Sequence, residues 1–183
     1  MTRRTSDRRR LESAFKKHGC THFKWIDPRD IVTAQWVRVK CMYGCEDYAH
    51  RACCPPNAPS VPECRQFLDE YDTAVMFHFA KAGDNLDERR KWGRKVNRSL
   101  VSLEREVFLL GHERAFMLLM GTCSLCKTCT GAREDCKHPS LARPTVDAMA
   151  IDVYSTVRKY GFPIQVLTDY SQTTNRYAFL LVE

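Results

Sequence analysis

At 183 residues, 44% hydrophobic and 28% charged, the chain suits one compact domain with an ordinary core. It has no apolar run long enough to span a membrane, and its basic N-terminus lacks the apolar region of a secretory signal, so a cytoplasmic protein is expected. A formal charge of +7 points to nucleic acid only weakly, because the same count treats ten cysteines as neutral.

Residues 1–10 hold five arginines and almost nothing apolar, and read as a solvated tail rather than a nucleic-acid contact. A short helical pattern runs from Leu11 to His18 and stops at Gly19. Residues 31–40, IVTAQWVRVK, are rich in β-branched and aromatic side chains and lead into Cys41. The stretch from Cys41 to Glu63 reads as irregular, since CCPPNAPSVPEC contains four prolines and proline continues neither a helix nor a central strand.

Thr73 to Ala80, TAVMFHFA, is predicted to be a buried strand. From Leu86 to Leu110 the apolar residues Leu86, Val96, Leu100, Leu103, Val107 and Leu110 recur in helical steps. Arg114 to Met120 is a second strand. Another helix is predicted after Pro144, with Val146, Met149, Val153, Val157 and Tyr160 on one face and Gly161 past its end. PIQVLT and RYAFLLVE read as two closing strands.

The resulting order, β-α-β-α-β-β, suggests an α+β fold of ferredoxin-like type: an antiparallel sheet with helices on one face and two cysteine-rich metal-binding loops. Residues 1–35 are expected to form a basic arm and short helix, and residues 36–183 a single metal-binding domain.

The cysteines cluster. Cys123, Cys126, Cys129 and Cys136 follow C-x2-C-x2-C-x6-C, a spacing that wraps one side of a [4Fe–4S] cube and closes it with a later cysteine. Tetrahedral zinc, the alternative, more often uses two separate C-x2-4-C knuckles. The earlier block holds Cys41, Cys45, Cys53, Cys54 and Cys64. Adjacent side chains diverge in extended chain, so one of Cys53 and Cys54 is expected to be a bystander. Four thiolates around Zn²⁺ or a [4Fe–4S]²⁺ core carry about −2, so two such sites would bring the balance down to roughly +3.

WVRVKC, YGC through CCPP, CSLCKTC and CKHPSLARPTVDAMAIDV resemble the predicted metal-binding proteins of domain-of-unknown-function family 2284, from about Trp36 to the C-terminus. The resemblance implies ligands at Cys41, Cys45 and Cys54, and at Cys123, Cys126, Cys129 and Cys136. The chain departs from the family pattern at Cys53 and Cys64, at Ala49, where glycine is expected, and at Asp147, where glutamate is expected. The family carries no assigned reaction.

Two readings of the first block stay open. Cys64 supplies a fourth thiolate, giving a closed cluster suited to electron transfer, or three cysteines leave one iron open to a small, sulfur-containing substrate. Cys20 is a remote candidate. A crossed arrangement, in which the cysteine before proline serves the other cluster, is a further one.

His138 and Arg143 are candidate donors to cluster sulfur. Tyr48 and His50 lie inside the first block, and His78 reads as a core or sheet-face residue. Arg89, Arg90, Lys91, Arg94, Lys95, Arg98 and Arg105 form a basic helix face that suits an acidic redox partner better than nucleic acid. The function expected is therefore electron transfer through two [4Fe–4S] clusters to a partner enzyme. A cluster-dependent enzyme is the alternative, and a zinc module for RNA or protein the third reading.

Overall fold

The computed structural model describes residues 3–83 and 85–183, with side chains from Asp7 onward. Strands β1 (Phe23–Ile26), β2 (Ala74–Lys81), β3 (Phe116–Leu118) and β4 (Thr174–Leu181) form one antiparallel sheet in the order β1-β2-β4-β3. The helices are α1 (Arg3–Lys17), α2 (Gln35–Gly44), α3 (Val61–Asp69), α4 (Leu86–Leu109) and α5 (Val153–Lys159). The α+β class expected from the sequence is the class observed.

β2 and β3 both run antiparallel to β4, which lies between them. They are thus parallel to each other and joined through α4, a split β-α-β unit. The remaining edge strand, β1, comes from the N-terminal side and pairs with β2. The chain order is therefore not the β-α-β-α-β-β predicted.

Side-chain alternation along the strands feeds two cores. Val75 and Phe77 of β2 and Ala178 and Leu180 of β4 pack with Leu11 and Phe15 of α1 and Leu100, Leu103 and Val107 of α4. Ala74, Met76, Phe179 and Leu181 face the other way, towards Cys64 and Leu68 of α3 and Val157 of α5. Helices cover both faces, not one. This is why the central strands are apolar at consecutive positions: neither face meets water.

Several local expectations are corrected. The arginine-rich stretch, expected to be a tail, is helical from Arg3. Leu11, Ala14 and Phe15 seat α1 in the core, Arg8 lies over the Trp25 ring, and Asp7 pairs with His112 at 3.2 Å. Residues 35–44 form α2 despite their β-branched content, and α3 begins inside the stretch read as irregular. Its start is fixed by the Ser60 N–H donating to Glu63 Oε2 at 2.7 Å, the backbone half of a capping box.

The helix predicted after Pro144 is reduced to α5. Thr145 and Ile151 instead form bridges to Leu119 and Thr33, and Ala150 has φ +55°, which interrupts any helix through it. Gly161, with φ +73°, ends α5 as expected. PIQVLT is not a strand; its Val166 is 74% exposed, while Ile164 packs against the core under α3 and α5.

Candidate metal centre

The second cysteine motif occupies the loop that leaves β3. The base of this loop is closed by Leu119, whose N–H donates to Pro144 O at 2.9 Å and whose carbonyl accepts from Val146 N at 3.1 Å. Arg143, on the returning limb, grips Glu104 of α4 through Nε–Oε2 at 2.8 Å and Nη2–Oε1 at 2.5 Å. Glu104 is buried and also accepts from Met117 N at 2.7 Å. A desolvated, bidentate pair thus ties the loop to sheet and helix.

Within that loop Cys123, Cys126, Cys129 and Cys136 line a single cavity of about 20 Å³, together with Cys53, Arg51 and His138. A void of that size is far below the roughly 300–1,000 Å³ of small-molecule pockets and has about the room of one water, so the five thiols face one another rather than an organic ligand. Ala52 N–H donates to Cys129 Sγ at 3.4 Å. The Cys53 thiol donates to Cys123, which lowers the Cys123 pKa to about 6, helped by the Leu125 N–H, Arg51 and His138 against the opposing effect of burial. The same hydrogen bond, with burial, holds Cys53 protonated.

The first motif is built from a helix end and a loop. Ala34 N–H donates to Ala150 O at 2.9 Å, and Arg38 donates to Pro59 O at 2.8 Å and Ala148 O at 2.9 Å. These bonds fix α2. Cys41 lies in its last turn, and Cys45 follows it with its N–H on Cys41 O at 3.2 Å. Burial raises the Cys41 pKa, and the adjacent Cys45 adds to the shift. Cys54 is buried and pushed up to about 12, first by desolvation and then by the nearby Asp47, Cys41 and Cys45.

The two loops pack against each other. Asn57 Nδ2 donates to Gly131 O at 2.7 Å, and Thr122 Oγ1 donates to Asp47 Oδ2 at 2.8 Å. Arg51, paired with Asp47 at 2.8 Å, lies within electrostatic reach of both Cys54 and Cys129. One guanidinium therefore faces both cysteine groups. Adjacent Cys53 and Cys54 diverge, Cys53 to the second group and Cys54 to the first.

Of the expected ligands, seven thus fall in two adjoining groups: Cys41, Cys45 and Cys54 in one, Cys123, Cys126, Cys129 and Cys136 in the other. Cys64 has other partners, one of which, Arg38, also acts electrostatically on Cys41. It is fully buried on α3, its thiol donating to Pro59 O at 3.4 Å with Arg38 Nη2 4.0 Å away. Cys20 is buried in the α1–α4 core, where desolvation pushes it up to about 12. Among the described residues, no three His, Cys, Asp or Glu side chains converge tightly enough to hold one metal ion as they stand.

The sequence predicts one of Cys53 and Cys54 to be a bystander, and the family resemblance leaves Cys53 out of the ligand set. The divergence of neighbouring side chains, used there to discount one of the pair, is what carries Cys53 to the second group. Arg143 is committed to Glu104 rather than to sulfur, whereas His138 does line the cysteine cavity. Asp147 lies within reach of Cys41, Lys40 and Arg176. His50 is exposed and Tyr48 half-buried. His78 bonds Asn175 Oδ1 at 2.8 Å and His22 Nδ1 at 2.7 Å on the sheet.

The family described as predicted metal-binding protein (DUF2284) matches residues 24–182. The chain belongs to that family. The match begins within β1, earlier than the resemblance at Trp36, and takes in the sheet from Lys24 onward and both cysteine loops. No curated protein and no solved structure matches the chain. The donor set agrees with the family's description: sulfur from free cysteines, backbone N–H groups aimed at two of the thiols, and a positive side chain beside both groups. No helix of the described residues is long and apolar enough to cross a membrane.

Proposed function

We propose that this is an iron–sulfur protein with two [4Fe–4S] centres that exchanges single electrons with a partner protein in the reducing cytoplasm. Cys123, Cys126, Cys129 and Cys136 would hold one centre, and Cys41, Cys45 and Cys54 the other. The observation that carries this reading is the ring of thiols around one small cavity, with a second thiol group packed against it. Such a ring suits the separate corners of a cube, whereas a zinc ion draws four ligands to one point at about 2.3 Å.

A [4Fe–4S] centre supplies one-electron chemistry at a potential set by charge, hydrogen bonding and solvent access. The chain's own residues act on those variables. Ala52 N–H and Leu125 N–H donate to sulfur, and Arg51 puts positive charge between the groups. All three favour the more negative, reduced state.

A second reading has its own support. Cys64 is engaged with Pro59 and Arg38; a Cys64 that keeps those partners would leave the first group with three thiolates. An iron with one open position there would act as a Lewis acid towards a small substrate. Cys64→Ser separates the readings: retained metal at both centres favours the open iron, and loss of the first centre makes Cys64 its fourth ligand.

The deciding experiment is iron, acid-labile sulfide and zinc per chain on anaerobically purified protein, with an EPR spectrum after dithionite. About eight iron and eight sulfide with spin coupling are expected for two cubes. Zinc without sulfide would overturn the redox reading.

A further inference from the structure

Beside the second cysteine group lies a cleft of about 630 Å³, within the range of small-molecule sites. We propose that it binds a small polyanion, a molecule carrying two or more phosphate or carboxylate groups, against the Cys123–Ser124 edge of that group. The proposal does not depend on which metal the cysteines hold.

Charge supports the assignment. Arg51, Arg89, Arg90, Arg94 and Arg176 line the cleft, against the carboxylates of Glu46 and Asp47. Asp47 is already engaged by Arg51 and Thr122. Glu46 is 83% exposed at its side chain, and its contact with Arg90 is long, at 3.5 Å. Arg89 is buried, spends its Nη2 on the carbonyls of Tyr170 and Gln172 at 2.8 Å, and leaves Nε without a partner. Among the described residues, Arg89, Arg94 and Arg176 have no carboxylate in ion-pair contact. Guanidinium groups, with their planar forks, recognise oxyanions in paired geometry.

Shape separates this from a docking face. Arg90, Arg94 and Asn97 lie one helical turn apart along α4 and form one wall. The loop around Gly121 and Arg176 of β4 form another, and Tyr170 also lines the cleft, its ring under the Arg89 guanidinium. A flat basic face would suit an acidic protein; these cations converge on a concavity.

Gly93 is the independent observation. It sits within α4, where glycine costs about 0.5–1 kcal/mol relative to alanine. A Cβ there would meet no atom within 4 Å, so packing does not require glycine. It lines the cleft and keeps the helix wall open to a ligand.

The test is calorimetric titration of the full chain with inorganic pyrophosphate and, separately, citrate at near-physiological ionic strength. Saturable one-site binding of at least one is expected; binding of pyrophosphate alone identifies phosphate as the anion. The Arg90→Ala/Arg94→Ala double variant should weaken it by about tenfold or more. Gly93→Leu should weaken it similarly while leaving thermal stability equal or higher. Lys95→Ala/Arg105→Ala, exposed on the same helix outside the cleft, should change it by less than about twofold. The proposal fails if neither anion saturates in the millimolar range, if the two double variants weaken binding equally, or if Gly93→Leu binds as well as the parent. Binding of polyglutamate without either small anion would reassign the arginines to an acidic protein partner.

Discussion

The two cysteine groups lie side by side but are made in different ways. The second is contiguous: four cysteines within one loop, its base closed by backbone bonds at Leu119 and by the buried Arg143–Glu104 pair. The first is assembled from a helix end and a loop, with Cys45 exposed and Cys41 half-buried. Its loop is held by the partly exposed Asp47–Arg51 pair and by Ala49 at φ +59°. A contiguous motif carries its own geometry, while a distributed one depends on what the rest of the fold does to it.

The largest expected effect tests whether the groups are separate sites. Cys126→Ser should remove about half of the bound iron and sulfide, and Cys54→Ser about the other half, by metal and sulfide analysis. Complete loss from either single variant would mean one shared site and would break the comparison.

Their anchors should differ next. Arg143→Ala leaves the Glu104 carboxylate buried and unpaired, and should cost about 3–5 kcal/mol in denaturant unfolding. Arg51→Ala breaks a more solvated pair and should cost about 1 kcal/mol or less. Similar costs for the two would erase the distinction between a built loop and a borrowed one.

The metal-free protein should show the contrast in its thiol titrations. The Cys123 pKa is lowered to about 6 by the Cys53 thiol, so Cys123 is a thiolate across the neutral range and loses that form only as pH falls below this value. Cys54, raised to about 12 by burial, stays protonated until strongly alkaline pH. Site-resolved alkylation against pH should therefore modify Cys123 at lower pH than an ordinary cysteine and leave Cys54 unreacted at neutrality.

The smallest effect concerns the first loop alone. At Ala49 the left-handed conformation costs about 1–2 kcal/mol, partly offset in a glycine variant by about 0.5–1 kcal/mol of extra chain entropy. Ala49→Gly should thus stabilise the protein by about 0.5 kcal/mol, read as a small rise in melting temperature. A loss of stability would mean that the loop is held differently. This backbone angle also accounts for the glycine expected here from the family pattern.

Much of the fold was legible because it rests on local periodicity. The three- and four-residue steps of α4 and the apolar run of β2 each mark an element that needs no distant information to be recognised. Those same runs, apolar at consecutive positions in AVMF and AFLLV, also signalled a sheet covered on both faces, a signal passed over in expecting helices on one. α2 was hidden because its β-branched residues favour a strand by propensity. Its bonds to Ala148, Pro59 and Ala150 override that preference.

The sequence by itself determined that this is a cysteine-rich α+β member of a predicted metal-binding family, and that Cys123, Cys126, Cys129 and Cys136 lie together, since short spacing forces neighbouring thiols into one loop. Tertiary structure alone decided the rest. It carried Cys53 and Cys54 to different groups and Cys64 into the core, set the two loops against each other around Arg51, and curled α4 with β4 into an arginine-lined cleft. Each of these joins residues far apart in the chain, and the packing that joins them leaves no local pattern to read.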